Sequence, residues 1–182
     1  MITTTLNRIR EQRPCEDGWR KLLEGLGKTK ADDEALPFAQ IVKINGIADA
    51  LWCCRAEPQY AKEWRLFAVW CARQVEYLLR DARSREVLEV AERHAHGEAT
   101  DEELKAARAA AWEAASAAAG EPARAVAWAA SAASAAAGEP AWAAGEAARA
   151  SAREAASAAA WKAAREPARA AAREAKFLEI VS

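Results

Sequence analysis

The sequence predicts an all-α protein, with a globular helical first half followed by an alanine-rich antiparallel helical hairpin stack. Three observations carry the prediction. Apolar residues recur at intervals of three and four along much of the chain. Glycine and proline fall where such helices would stop and start. Few windows alternate with period two, so the sequence predicts no strand.

The elements follow in order. Thr3 to Thr5 can cap a helix through Arg10. Asp17 can cap "GWRKLLEGLG", whose Trp19, Leu22, Leu23 and Leu26 lie at helical spacing, and Gly27 ends it. Pro37 opens "PFAQIVKING" and Gly46 closes it; the short helix "IADALWCCR" follows. Pro58 opens a long helix, "PQYAKEWRLFAVWCARQVEYLLR". Trp64, Phe67, Trp70, Cys71, Gln74, Val75 and Leu78 fall near one another on one side of it. Ser84 can cap "REVLEVAERHAH", which stops at Gly97.

From residue 99 onward the composition changes to nearly half alanine, which divides the chain into a globular region, 1–98, and a repeat region, 99–182, expected to pack as one unit. Thr100 and Glu103 have capping-box spacing: hydroxyl to the third amide, carboxylate back to the first. Gly120 and Pro122, then Gly138 and Pro140, repeat a stop-and-start signal eighteen residues apart, five turns of helix. Pro167 repeats it without the glycine. The predicted helices are 101–119, 122–137, 140–164 and 167–180, unless Pro167 kinks one long final helix. Alanine is the strongest helix former, so low complexity here means helix rather than disorder. Its single methyl lets helix axes approach closely, and each contributes so little apolar area that larger anchors are needed.

Tryptophan supplies such anchors. Arg108, Trp112 and Ser116 succeed one another at four-residue steps, as do Arg124 and Trp128. Trp142, Glu146, Arg149, Arg153, Ser157 and Trp161 form one stripe on a longer helix. The tryptophans therefore lie on or beside polar stripes, away from the all-alanine faces. Either they fill gaps against neighbouring helices, with arginine stems covering the rings, or they form a partner surface, since Trp and Arg dominate interface hot spots. The candidate partner-binding residues are Arg108, Trp112, Arg124, Trp128, Trp142, Arg149, Arg153 and Trp161.

Composition sets further bounds. A net charge of -1 over 182 residues argues against a strongly basic nucleic-acid binder. No apolar run is long enough to span a membrane, and the start lacks the apolar stretch of a signal peptide. Cys15, Cys53, Cys54 and Cys71 fit no zinc spacing and are expected to be buried reduced thiols of a cytoplasmic protein.

Chemical motifs are weak. "EGLGKTK" suggests a phosphate-binding loop, but Leu22 stands where the first glycine of that motif belongs, and a helix precedes it. His94 and His96 point to different sides of a helix, which disfavours a shared metal; solvated histidines are expected. "ADDE", Ala31 to Glu34, reads as loop or capping carboxylates. Neither histidine has a recognisable nucleophile context. The expectation is therefore no enzyme activity, no cofactor and no metal.

Three segments, "CEDGWRKLLEGLGKTKADDEALPF", "NGIADALWCCRAEPQYAKEWRLFAVWCARQV" and "VAERHAHGEATDEELKAARAAAW", resemble a family of bacterial and phage proteins. In that family a Trp-rich helical half leads into Ala/Arg/Trp repeats. It is similar in its tails to the immunity proteins of polymorphic toxin systems. The resemblance implies a setting of microbial conflict. The expected function is then a non-enzymatic inhibitor whose partner is another protein: a toxin, or a host defence complex if the chain is a phage anti-defence protein such as an anti-CRISPR. A homo-oligomerising scaffold, with a homodimer as the partner, is the alternative; a hydrolase or nucleotide-binding enzyme is less favoured.

Overall fold

The computed structural model describes residues 1–74, 76–79, 81–117 and 166–182. Helix dominates them, in agreement with the all-α prediction. The helices are α1 (Leu6–Glu11), α2 (Glu16–Gly25), α3 (Phe38–Asn45), α4 (Ile47–Cys53), α5 (Ala61–Arg73), α6 (Ala82–Ala95), α7 (Asp101–Ala117) and α8 (Glu166–Val181). Short 3₁₀ turns occupy Cys54–Ala56, Pro58–Tyr60 and Glu76–Leu78.

Where the sequence carries a local hydrogen-bonding signal, the backbone obeys it. Thr5 caps α1 through the Arg8 amide at 3.2 Å. Two helices end in the same six-residue motif. The Gly27 and Lys28 amides return to the Glu24 and Leu23 carbonyls at 3.0 and 2.9 Å. The Gly97 and Glu98 amides return to those of His94 and Arg93 at 3.0 and 2.8 Å. Both closures need a left-handed residue, and φ is 66° at Gly27 and 77° at Gly97. At the start of α7 the capping box is complete. The Thr100 hydroxyl accepts from the Glu103 amide at 3.1 Å, and the Glu103 carboxylate accepts from the Thr100 amide at 2.7 Å. The Thr100 amide beside it holds the Glu103 carboxyl below its usual range.

Several boundaries differ from the sequence prediction. α2 begins at Glu16, so Asp17 lies inside its first turn and pairs with Arg20 at 2.6 Å instead of capping. The first-turn carboxylates of Glu16 and Asp17 complement the positive helix end. α6 is capped by Asp81, not Ser84: Asp81 Oδ1 accepts from the Arg83 amide at 2.9 Å, and Ser84 is buried in the first turn. The Arg83 guanidinium, followed by its amide, brings the Asp81 carboxyl down to about 2.

The long helix predicted from Pro58 to Arg80 breaks into a 3₁₀ entry, α5, and a reversal after Arg73. Tertiary contacts override the pattern there. Reversal buries Leu79 and lets Arg85 Nη1 donate to its carbonyl at 2.6 Å. It also lets Arg73 clasp Glu76 at 3.2 Å and Glu92 of α6 at 2.5 Å.

A further correction is a small antiparallel bridge, in which Thr3 pairs with Pro37 and Thr4 with Leu36. These two-residue strands, β1 (Thr3–Thr4) and β2 (Leu36–Pro37), are too short to show alternation, so period-two analysis passes over them.

The core forms around an aromatic cluster. Phe38 of α3, Trp64 and Phe67 of α5, and Phe177 of α8 are each fully buried. Phe177 meets all three partners: Phe67 at 5.4 Å, Trp64 at 6.1 Å and Phe38 at 6.3 Å between ring centres. Trp64 Nε1 donates to the Glu57 carbonyl at 3.1 Å, which satisfies the indole inside the core. The end of the alanine-rich region thus completes the hydrophobic core of the first half. The Ile2 amide donates to the Val181 carbonyl at 2.7 Å, and the Ile2 carbonyl accepts from Phe38 at 3.3 Å. The start of the chain, α3 and the end of α8 are stitched together at one point.

α7 packs on α6 through Leu104, Ala107, Ala111 and Ala114, of which Leu104 and Ala111 join the same core. Its alanine face turns inward, as close packing of small residues requires. An ion pair at 3.4 Å (Arg93–Glu103) and a hydrogen bond at 2.7 Å (His94–Asp101) border this contact.

Candidate functional site

Arg108 and Trp112 are the predicted partner-binding residues that fall among the described ones. At 100° per residue, the buried positions of α7 centre on one direction. Arg108 stands about 80° from that direction and Trp112 about 120°. Arg108 is accordingly half-buried, at the edge of the α6–α7 seam, and Trp112 faces outward with 48% of its surface exposed. The contrast with Trp64, at 0%, separates a core anchor from a surface tryptophan. Beside Trp112, Glu113 is exposed and its carboxylate approaches Arg83 Nη1 at 3.8 Å. Arg124, Trp128, Trp142, Arg149, Arg153 and Trp161 lie outside the described residues, as do the Gly120–Pro122 and Gly138–Pro140 boundaries.

The weaker motifs resolve into local structure. Lys28, the lysine of "EGLGKTK", is held at 2.7 Å by both Asp32 and Glu34. Its hydrogen bonds to those carboxylates raise the ammonium pKa, so the charge is neutralised within the loop. The "ADDE" segment lies in a loop, as the sequence suggests, and supplies the lysine's counterions, which the sequence did not; Asp32 Oδ1 also accepts from the Glu34 amide at 3.2 Å.

His94 is not a solvated histidine: its Nε2 meets Asp101 at 2.7 Å across the α6–α7 turn, and Nδ1 is buried. His96 is exposed. Among the described residues no group of three or more His, Cys, Asp or Glu side chains is arranged to hold a metal.

Three of the four cysteines are buried, as expected, but Cys15 is exposed at the start of α2. Burial pushes the Cys53 and Cys71 thiols up to about 12 and the Cys54 thiol well above its ordinary value, which leaves them inert as nucleophiles.

Sequence reasoning passed over a cavity of about 270 Å³ where α2, α3 and α4 converge. Trp19, Ile41 and Trp52 give it apolar walls, Asn45 and Asp49 a polar end, and Cys15 reaches its lining. These residues are scattered over forty positions, and no spacing rule links them. The faint signal in the sequence was the asparagine and aspartate flanking Gly46, four residues apart.

Among the described residues no helix is long and apolar enough to cross a membrane. Compared with protein-family models, with curated proteins and with solved structures, the chain has no match.

Proposed function

We propose that this protein is a non-enzymatic helical inhibitor that binds and neutralises another protein in microbial conflict, acting in the cytoplasm as an immunity protein or as a phage anti-defence protein such as an anti-CRISPR. The observation that supports this reading is the outward placement of Trp112, with Arg108 one turn away, on a helix anchored through its other face. An indole costs little conformational entropy to immobilise and removes a large area from water, which is why exposed tryptophans concentrate at hot spots. In this proposal residues 99–182 pack with 1–98 as one unit. The segment between α7 and α8 continues as antiparallel alanine-rich hairpins carrying the rest of the Trp/Arg stripe. Docking of α7 and α8 on the core would hold that face rigidly and reduce the entropy lost on binding.

Affinity capture tests the proposal. The full-length chain serves as bait in bacteria expressing candidate toxins or defence complexes, with recovered proteins identified by mass spectrometry. The expected result is one partner enriched by the wild type and lost with Trp112→Ala or Arg108→Ala baits that melt normally. Recovery unchanged by both substitutions, or no enriched partner across the panel, would count against it.

A further inference from the structure

The cavity at the junction of α2, α3 and α4 has the Asp49 carboxylate at its polar end. Asn45 closes α3 and Asp49 sits in the first turn of α4. Asn45 Nδ2 donates to Asp49 Oδ2 at 2.7 Å and to the Gly18 carbonyl at 2.9 Å. Both amide protons are therefore used, and the orientation is fixed, since exchanging nitrogen and oxygen would set an acceptor against two acceptors. Asn45 Oδ1 is consequently left buried with no hydrogen-bond partner. Among the described residues Asp49 has Asn45 as its hydrogen-bond partner and no cation paired with it. Arg55 is engaged elsewhere, over the Trp52 ring at 4.5 Å and on the Trp52 carbonyl at 3.0 Å.

The packing keeps this end tight. A Cβ at Gly18 would stand 3.0 Å from Asp49 Oδ2 and 3.1 Å from Cys15 Sγ. Glycine lets the carboxylate and the thiol lie close against the α2 backbone. Away from them the lining is apolar and aromatic, with Trp19, Trp52 and Ile41.

The chemistry selects an occupant. The Asp49 carboxylate offers acceptors only. An anion would be repelled there, and a purely apolar guest would displace water from the Asp49 carboxylate without offering it a donor. A primary ammonium can donate to the carboxylate, and an apolar body would cover the indoles, which also favour cations. The volume lies just below the usual range of roughly 300–1,000 Å³ for ligand pockets, which restricts the guest to a small molecule. We propose that this cavity binds a small organic amine, its ammonium group against the Asp49 carboxylate and its apolar body against Trp19 and Trp52. The site is independent of the α7 face.

Three ligands with one body and different headgroups test it on the full-length protein: phenethylamine, 2-phenylethanol and phenylacetate. Alkylation of Cys15 by iodoacetamide, followed by mass spectrometry, and tryptophan fluorescence report occupancy. Phenethylamine is expected to slow Cys15 alkylation and shift fluorescence saturably. The alcohol and the carboxylate should bind at least about tenfold more weakly, the loss of one charge-assisted hydrogen bond. Asp49→Asn should remove the amine's advantage, and Ala48→Leu, at an exposed position on the cavity rim, should block all three. Equal binding of phenylacetate or the alcohol overturns the proposal. So does an amine preference that survives Asp49→Asn, or the absence of saturable protection by phenethylamine up to about 10 mM, which would mean water alone fills the site. If Asp49→Asn does not fold, the headgroup series on the wild type and Ala48→Leu decide.

Discussion

Phe177→Ala removes a ring that is fully buried between Phe38, Trp64 and Phe67, at the far end of the chain from the core it completes. Truncating a core phenylalanine costs about 3–5 kcal/mol through lost transfer free energy and the cavity left behind. The three ring contacts, worth roughly 0.5–1.5 kcal/mol each, place this site toward the upper part of that range. A loss of about 4 kcal/mol is a large share of the 5–15 kcal/mol typical of a folded domain. At roughly 2–4 °C per kcal/mol for a chain of this size, the melting temperature should fall by roughly 8–16 °C. Urea titration followed by circular dichroism measures the change, and Phe177→Leu, which refills most of the space, should lose much less. A loss below about 1 kcal/mol for Phe177→Ala would mean that α8 does not close the core, and the reasoning that joins the two ends of the chain would be wrong.

Other outcomes follow from single features. Gly97→Ala should cost about 1 kcal/mol from backbone strain alone, because φ is 77° while nothing lies within 4 Å of the added methyl; differential scanning calorimetry checks it. Arg8→Ala should destabilise by about 2 kcal/mol or more, because it strips the cation, 2.8 Å away, from the fully buried Glu57 carboxylate. Arg20→Ala, which breaks an exposed pair, should cost well under 1 kcal/mol in the same titration. Ellman's reagent should find one reactive thiol in the native protein, Cys15, and four in urea; two or more fast native thiols would contradict the burial of Cys53, Cys54 and Cys71.

The parts of this fold that were legible in the sequence are those specified within one or two helical turns. Thr100 and Glu103 cap each other because they lie three positions apart, whatever lies elsewhere. Gly27 and Gly97 end their helices because left-handed φ is a property of the residue itself. What escaped is what the tertiary structure decides. Ser84 and Asp81 are both competent caps, and the burial of Ser84 settles the choice. The pattern from Ala61 to Arg80 stays helical on paper, yet Leu79 is buried by a chain reversal. Phe177 sits in a helix whose alanine periodicity reads the same whether it stacks on its neighbours or inserts into a distant core. Of the candidate site, helical geometry gave the placement of Arg108 and Trp112. The cavity was hidden because Trp19, Asn45 and Asp49 meet only through the packing of three helices.

The central claim is that α7 is held by its alanine face and offers Trp112 outward. Equilibrium unfolding of Trp112→Ala beside the wild type tests it most directly. An indole that is 48% exposed keeps about half of its surface in water, so stability should stay within about 2 kcal/mol of the wild type. A loss of about 3–5 kcal/mol, the cost of truncating a core tryptophan, would place Trp112 among the anchors beside Trp64 and contradict the proposed binding face.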